Sequence, residues 1–176
     1  GRLVVSAHAQ QGNPMDSLFA SPVTLGLLVV NVIASLIAFR NEAFMQQNIL
    51  WVGPMRERGE WYRGISSGFL HVNGPHLLLN MYGLWLFGPI CEYVLGGVGF
   101  VIVYFASLAG GSVWAYIHNR NSPDYRAAGA SGALSGIVLA FCLFEPFAIL
   151  LAFFVIPMWG IVFGVLGSLS TAVYQI

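Results

Sequence analysis

Lysine is absent from the 176-residue sequence, and charged residues of all kinds make up only 8% of it. An ordinary soluble domain carries about a quarter. Long stretches without any charge, in a chain that is 57% hydrophobic, exclude the collagen-like and disordered classes and indicate a multi-pass membrane protein. There is no surplus of positive charge either, because seven arginines face seven acidic residues, so nucleic-acid binding has no electrostatic footing. Cysteine is nearly as scarce. Cys91 and Cys142 form no CxxC pair, which supports neither a disulfide scaffold nor a structural zinc site and leaves two separate thiols in apolar surroundings. No metal or other cofactor is implied, and no internal repeat divides the chain.

What is there is apolar sequence in long tracts. A hydrocarbon core about 30 Å thick takes roughly 20 helical residues, and residues 22–39 form the first stretch of that length, with Pro22 near its start and Ser21 as an acceptable cap. Residues 41–64 gather formal charges with Trp51, Trp61 and Tyr62, the composition of a structured interfacial loop. A second span is expected over residues 75–94, after the Asn73-Gly74-Pro75 interruption, and a third over 98–117. The polar run from His118 to Asp124 reads as a turn. A fourth span covers 127–144 and is closed by Glu145-Pro146. Pro157 divides the last tract, 147–176, into a short membrane-embedded piece and a fifth span from about Met158.

The fold expected is therefore an all-α, multi-pass membrane bundle with five spans. Arg40, Arg56, Arg58, Arg63, Arg120 and Arg126 all fall on the side shared by the first-to-second and third-to-fourth connections, with only Arg2 on the other; arginine bias alone would put those connections in the cytoplasm. Gly132 with Gly136, and Gly160 with Gly164, recur at the spacing that lets helices approach closely, which reads as packing.

Polar residues that lipid would not tolerate carry the functional information. One cluster runs from Ser66 to Asn80, where His76 and Asn80, four apart, put an imidazole and a carboxamide on one helical face. Both could donate toward a single oxygen, or they could form a polar clamp between helices. The second cluster is Gly129-Ala130-Ser131-Gly132-Ala133-Leu134-Ser135-Gly136. Ser131 lies near a helix N-terminus, where unpaired N–H groups and the helix dipole favour developing negative charge. It reads as a serine nucleophile beside an oxyanion site, or as an ordinary glycine-rich helix start, and Ser135, one turn on, could line the same cavity. An even number of spans separates the two clusters, so they share one face of the membrane, which suits acyl transfer.

These residues, taken with Trp61-Tyr62-Arg63, Phe69-Leu70-His71, His76-Leu77-Leu78-Leu79-Asn80-Met81, Leu86-Phe87-Gly88-Pro89-Ile90-Cys91-Glu92 and Gly129-Ala130-Ser131-Gly132, resemble the rhomboid intramembrane serine proteases in order and spacing. The resemblance implies a compact six-span core, a serine–histidine dyad, and hydrolysis within or beside a transmembrane segment of a protein substrate in the lipid bilayer. By position it makes Ser131 the nucleophile and His76 and Asn80 oxyanion-stabilising residues. Arg63 and Glu92 become polar anchors, His71 a supporting histidine, and Gly129 and Gly132 parts of the serine motif.

The same resemblance implies a general-base histidine in a sixth helix. No histidine follows His118, so the chain is expected to be a rhomboid-like domain over residues 1–176 that lacks the base and the sixth span. The alternative is an inactive rhomboid-like adaptor that binds partner helices. A channel or transporter finds no repeated half, intramembrane acidic pair or filter motif to support it. His8 and His118 receive no role, and Glu92 and Glu145, near span ends, could be exposed interfacial acids. The setting expected is a bacterial or organellar inner membrane.

Overall fold

The computed structural model describes residues 14–144, 149–152 and 156–159. A short helix, α1 (Pro14–Phe19), leads into α2 (Pro22–Arg40). Pro22 sits at the start of α2, where its missing N–H costs no intrahelical bond. The Ser21 side chain does not cap the helix and instead donates to the Ser17 carbonyl. The cap comes from far along the chain: the Glu92 carboxylate accepts from the backbone N–H groups of Val23 and Thr24 and from the Thr24 hydroxyl. Helix α2 buries Thr24, Leu27, Asn31, Ser35 and Ala38 on one face, while Val29, Val30, Ile33 and Ile37 are exposed. Polar groups inward and aliphatic groups outward is the distribution that a lipid solvent selects.

Residues 41–64 are structured, as their composition suggests. They form α3 (Glu42–Asn48), strand β1 (Leu50–Trp51) and α4 (Val52–Arg58), followed by α5 (Arg63–Ser66) and a single 3₁₀ turn, Ser67–Phe69. Strand β1 pairs antiparallel with β2 (Arg126–Ala127), with Leu50 opposite Ala127 and Trp51 opposite Arg126. The Arg126 guanidinium lies 3.8 Å from the centre of the Trp51 ring, and a small apolar core of Leu50, Val52, Met55 and Ala115 closes beneath. The two arginine-bearing connections therefore do lie on one side.

Helix α6 runs from Gly74–Asn119, 46 residues, but Gly96 breaks it with φ 69° and ψ 160°. A positive φ of this kind is accessible to glycine and strained for most other residues. The arms on either side, 74–95 and 97–119, fall where the second and third spans were expected, and both feed one core: Leu84, Phe87 and Cys91 from the first, Phe100, Tyr104 and Leu108 from the second. Helix α7 (Ser131–Phe144) packs against both arms.

The described elements form an almost all-helical bundle but do not establish a count of five spans. Among the described residues, two helices, α2 and α6, are long and apolar enough to cross a membrane. The expected fourth span shrinks to the 14 residues of α7 because residues 126–127 are spent in β2 and helix begins only at Ser131. Where the embedded piece before a fifth span was expected, β3 (Ile149–Ala152) and β4 (Ile156–Trp159) form an antiparallel hairpin with Leu151 opposite Pro157. The remainder of that span, Gly160, Gly164 and Glu145 lie outside the described residues.

Glycines set how close α7 comes. A Cβ on Gly136 would stand 1.8 Å from Ser107 Oγ, one on Gly111 3.3 Å from Gly132 Cα, and one on Gly83 2.8 Å from a Leu134 methyl. Gly132 and Gly136 are thus packing positions, as their spacing predicts.

Candidate active site

The site is assembled at two helix starts. Asn73, in extended conformation, caps α6 by accepting the His76 N–H on Oδ1 at 2.8 Å, and Pro75 occupies the first turn. This fixes His76 on the first turn of α6. Its imidazole is half-buried and faces the opening of α7: a Cβ on Gly129 would lie 2.7 Å from His76 Cε1 and 3.0 Å from Nε2. Gly129 has φ 142°, and its N–H donates to the Ser67 carbonyl at 3.0 Å. Glycine is needed here twice over, for the dihedral and for the room.

Ser131 is the first residue of α7 and is half-buried. Among the described residues its hydroxyl makes no hydrogen bond, while its carbonyl accepts from the Ser135 hydroxyl at 2.8 Å. Ser135 is therefore engaged with the helix backbone one turn below. Among the described residues nothing engages the Ser131 hydroxyl, which stands beside N–H donors that the helix itself leaves unpaired. Asn80 is buried at 5% exposure and donates one amide hydrogen to the His76 carbonyl at 2.9 Å. An amide nitrogen carries two hydrogens, so one donor remains.

His71 is fully buried, at 0% exposure. Its Nδ1 lies 2.9 Å from Ser35 Oγ, its Nε2 accepts from the Ala130 N–H at 3.5 Å, and its ring meets that of His76 edge-on at 5.1 Å. Burial, and secondarily the neighbouring His76, push its pKa down to about 4. The expectation of a chain without its histidine is corrected by this residue. A histidine is present in the active-site region and hydrogen-bonded there. The expectation arose from looking for an imidazole beyond His118, whereas the fold brings residue 71 against the backbone immediately before Ser131. Ser35, its partner on α2, was missed in the sequence; the signal was there in Thr24, Asn31 and Ser35, polar residues at helical spacing within an apolar tract.

Arg63 and Glu92 stand apart from this cluster and hold the frame around it. Arg63, 4% exposed, donates to the carbonyls of Gln46 and Ile49 at 2.7 and 3.0 Å and to Glu60. Glu92 is 6% exposed and caps α2, so it is not an exposed interfacial acid. Both cysteines are buried, and neither is in a disulfide among the described residues. His118 stacks on Trp114.

A bundle of apolar helices that turns its polar side chains inward, and gathers them at the glycine-flanked start of a helix opening on a serine, has the organisation of an intramembrane-protease-like protein. The chain belongs to the rhomboid family: the family model described as the Rhomboid domain matches residues 58–175. RHOMBOID-like protein 12, mitochondrial, of Arabidopsis thaliana is 30% identical over 86% of this chain and 50% of its own length. Rhomboid protease AarA of Providencia stuartii is 29% identical over 75% of this chain and 56% of its own. Rhomboid protease GluP of Bacillus subtilis (strain 168) is 37% identical over 45% of this chain and 15% of its own. The chain thus spans about half, or less, of the length of these relatives.

Proposed function

We propose that this chain carries the nucleophile, the oxyanion donors and the active-site histidines of an intramembrane serine endopeptidase, acting on a peptide bond in or near a transmembrane segment of a protein substrate. The observation that carries the reading is the Ser131 hydroxyl: half-buried, without a hydrogen bond among the described residues, at the first position of α7 and two residues from the glycine that His76 touches. An imidazole takes the hydroxyl proton, and Oγ attacks the scissile carbonyl. The tetrahedral oxygen is then met by the Ser131 N–H, His76 and the second amide hydrogen of Asn80. The imidazole returns the proton to the leaving amine, and water hydrolyses the acyl-enzyme. Apolar helices α2 and α6, with Leu78, Leu79 and Ile102 among their exposed side chains, supply a lipid-facing exterior against which a substrate helix can lie. The names of two relatives, rhomboid protease AarA and rhomboid protease GluP, support the same reaction class.

The test is to label the purified protein in detergent micelles with a fluorophosphonate, map the modified peptide, and follow cleavage of a transmembrane reporter. Modification at Ser131, lost together with cleavage in Ser131→Ala while the variant still purifies as a folded protein, is the expected result. Full turnover by Ser131→Ala would remove the assignment.

A further inference from the structure

Ser35 is buried at 0% exposure in the middle of an apolar helix, and lipid-spanning segments keep such a hydroxyl only where it has partners. Its Oγ lies 3.2 Å from the Phe69 carbonyl and 2.9 Å from His71 Nδ1. The directions of these bonds are fixed by what lies beyond. Ala130 N–H donates to His71 Nε2, so Nε2 presents a lone pair, and in a neutral ring the proton is then on Nδ1. Nδ1–H donates to Ser35 Oγ, and the Ser35 hydroxyl donates on to the Phe69 carbonyl. Segment 67–71 is held on one side by Ser35. On its other side it holds the entry to α7 at two successive residues, Gly129 through the Ser67 carbonyl at 3.0 Å and Ala130 through His71. The residue after Ala130 is Ser131.

We propose that Ser35 is a positioning residue for the serine site. By holding His71 as the Nδ1–H tautomer, it lets Nε2 grip the Ala130 N–H and fixes where α7 begins, and so where the Ser131 hydroxyl and N–H stand relative to His76. The consequence for activity rests on the endopeptidase reading above; the hydrogen-bond relay does not. Ser35 touches neither substrate nor reacting atoms and acts through one imidazole and one peptide unit. Without its hydroxyl, the buried His71 Nδ1–H loses its acceptor among the described residues, and the ring recovers one by turning or by moving its proton to Nε2. Either change releases Ala130. Among the described residues, the other titratable group facing His71 is His76, from α6, with which it shares an edge-on contact.

The experiment pairs two measurements on the purified protein in micelles. Nitrogen-15 NMR of histidine-labelled protein reads the tautomer of His71, and fluorophosphonate labelling reads the reactivity of Ser131. The parent is expected to show Nδ1–H at His71. Ser35→Ala is expected to lose that signature and to label about fivefold to tenfold more slowly, the effect of one lost hydrogen bond on a transition state. Ser35→Thr, which keeps the hydroxyl, is expected to restore both. A proton on Nε2 of His71 in the parent overturns the proposal even if Ser35→Ala does not fold, and so does parental labelling by a folded Ser35→Ala. A parent that shows the Nδ1–H tautomer but never labels at Ser131 overturns the endopeptidase reading and leaves the relay standing.

Discussion

The His76 ring and Gly129 are in direct contact: any Cβ at residue 129 would lie 2.7 Å from His76 Cε1. The first turns of α6 and α7, which start 57 residues apart at Gly74 and Ser131, are thereby held in register by a ring seated on a bare Cα. Two costs meet in Gly129→Ala, a φ of 142° that L-residues rarely adopt and a methyl group inside contact distance of the imidazole. Strain of this kind amounts to about 1–3 kcal/mol, and the ring must also give way. Fluorophosphonate labelling of Ser131 should slow by roughly tenfold to a hundredfold in protein that still folds. A Gly129→Ala variant labelling like the parent would show that His76 and Ser131 need no fixed separation.

Asn80 is expected to act through the amide hydrogen it does not spend on the His76 carbonyl. Removing one oxyanion donor typically lowers turnover by about 10²-fold to 10³-fold, so Asn80→Ala should fall in that range with little change in KM, because the interaction strengthens only as charge develops. Steady-state cleavage of a transmembrane reporter separates the two constants. A loss confined to KM would place Asn80 in substrate binding instead.

Much of this arrangement was legible before any coordinates. Charge scarcity marked the apolar helices, the four-residue spacing of His76 and Asn80 put them on one face, and the glycines around Ser131 marked a helix start. The break between the spans expected over 75–94 and 98–117 was among the legible parts, since it falls at Gly96, the one non-helical residue of α6. What the sequence hid was long-range. Ala127 was counted into a span, but pairing with Leu50 draws it into a strand. Glu92 looked like an exposed acid because nothing local reveals that it caps a helix whose first turn lies 68 residues earlier. His71 was recognised by its neighbours, yet its partners, Ser35 and Ala130, come from opposite ends of the chain.

His71 gives a pH dependence with a definite sign. Burial and the neighbouring His76 hold its folded pKa at about 4, against an ordinary value of 6.5. Between these values the unfolded chain binds a proton that the folded protein excludes, so stability is complete above about pH 6.5 and declines as pH falls toward 4. The slope approaches ~1.4 kcal/mol per pH unit at most. Melting temperature measured across this window should fall more steeply for the parent than for His71→Gln, which cannot titrate. Parallel curves for the two proteins would mean that His71 does not titrate differently on folding.

The contact between Gly136 of α7 and Ser107 of α6 offers a test of packing that leaves the polar site untouched. A Cβ at Gly136 would stand 1.8 Å from Ser107 Oγ and 2.4 Å from Ser107 Cβ, while the Ser107 backbone is 3.8 Å away. Because Ser107 Cβ is fixed by its helix, a rotamer change cannot clear the clash, and Gly136→Ala should cost about 1–3 kcal/mol, the usual range for overpacking. Ser107→Gly alone should cost roughly 0.5–1 kcal/mol as a helix glycine. The double variant moves the side chain at this contact from α6 to α7, and since the backbone behind Ser107 leaves ordinary van der Waals room, it should recover most of the Gly136→Ala loss. A double-mutant cycle on unfolding in detergent should then give a favourable coupling of about 1 kcal/mol or more. Simple additivity would mean that α7 shifts along the arm to accept the methyl group, and in that event Ser131 should move with it and label at an altered rate.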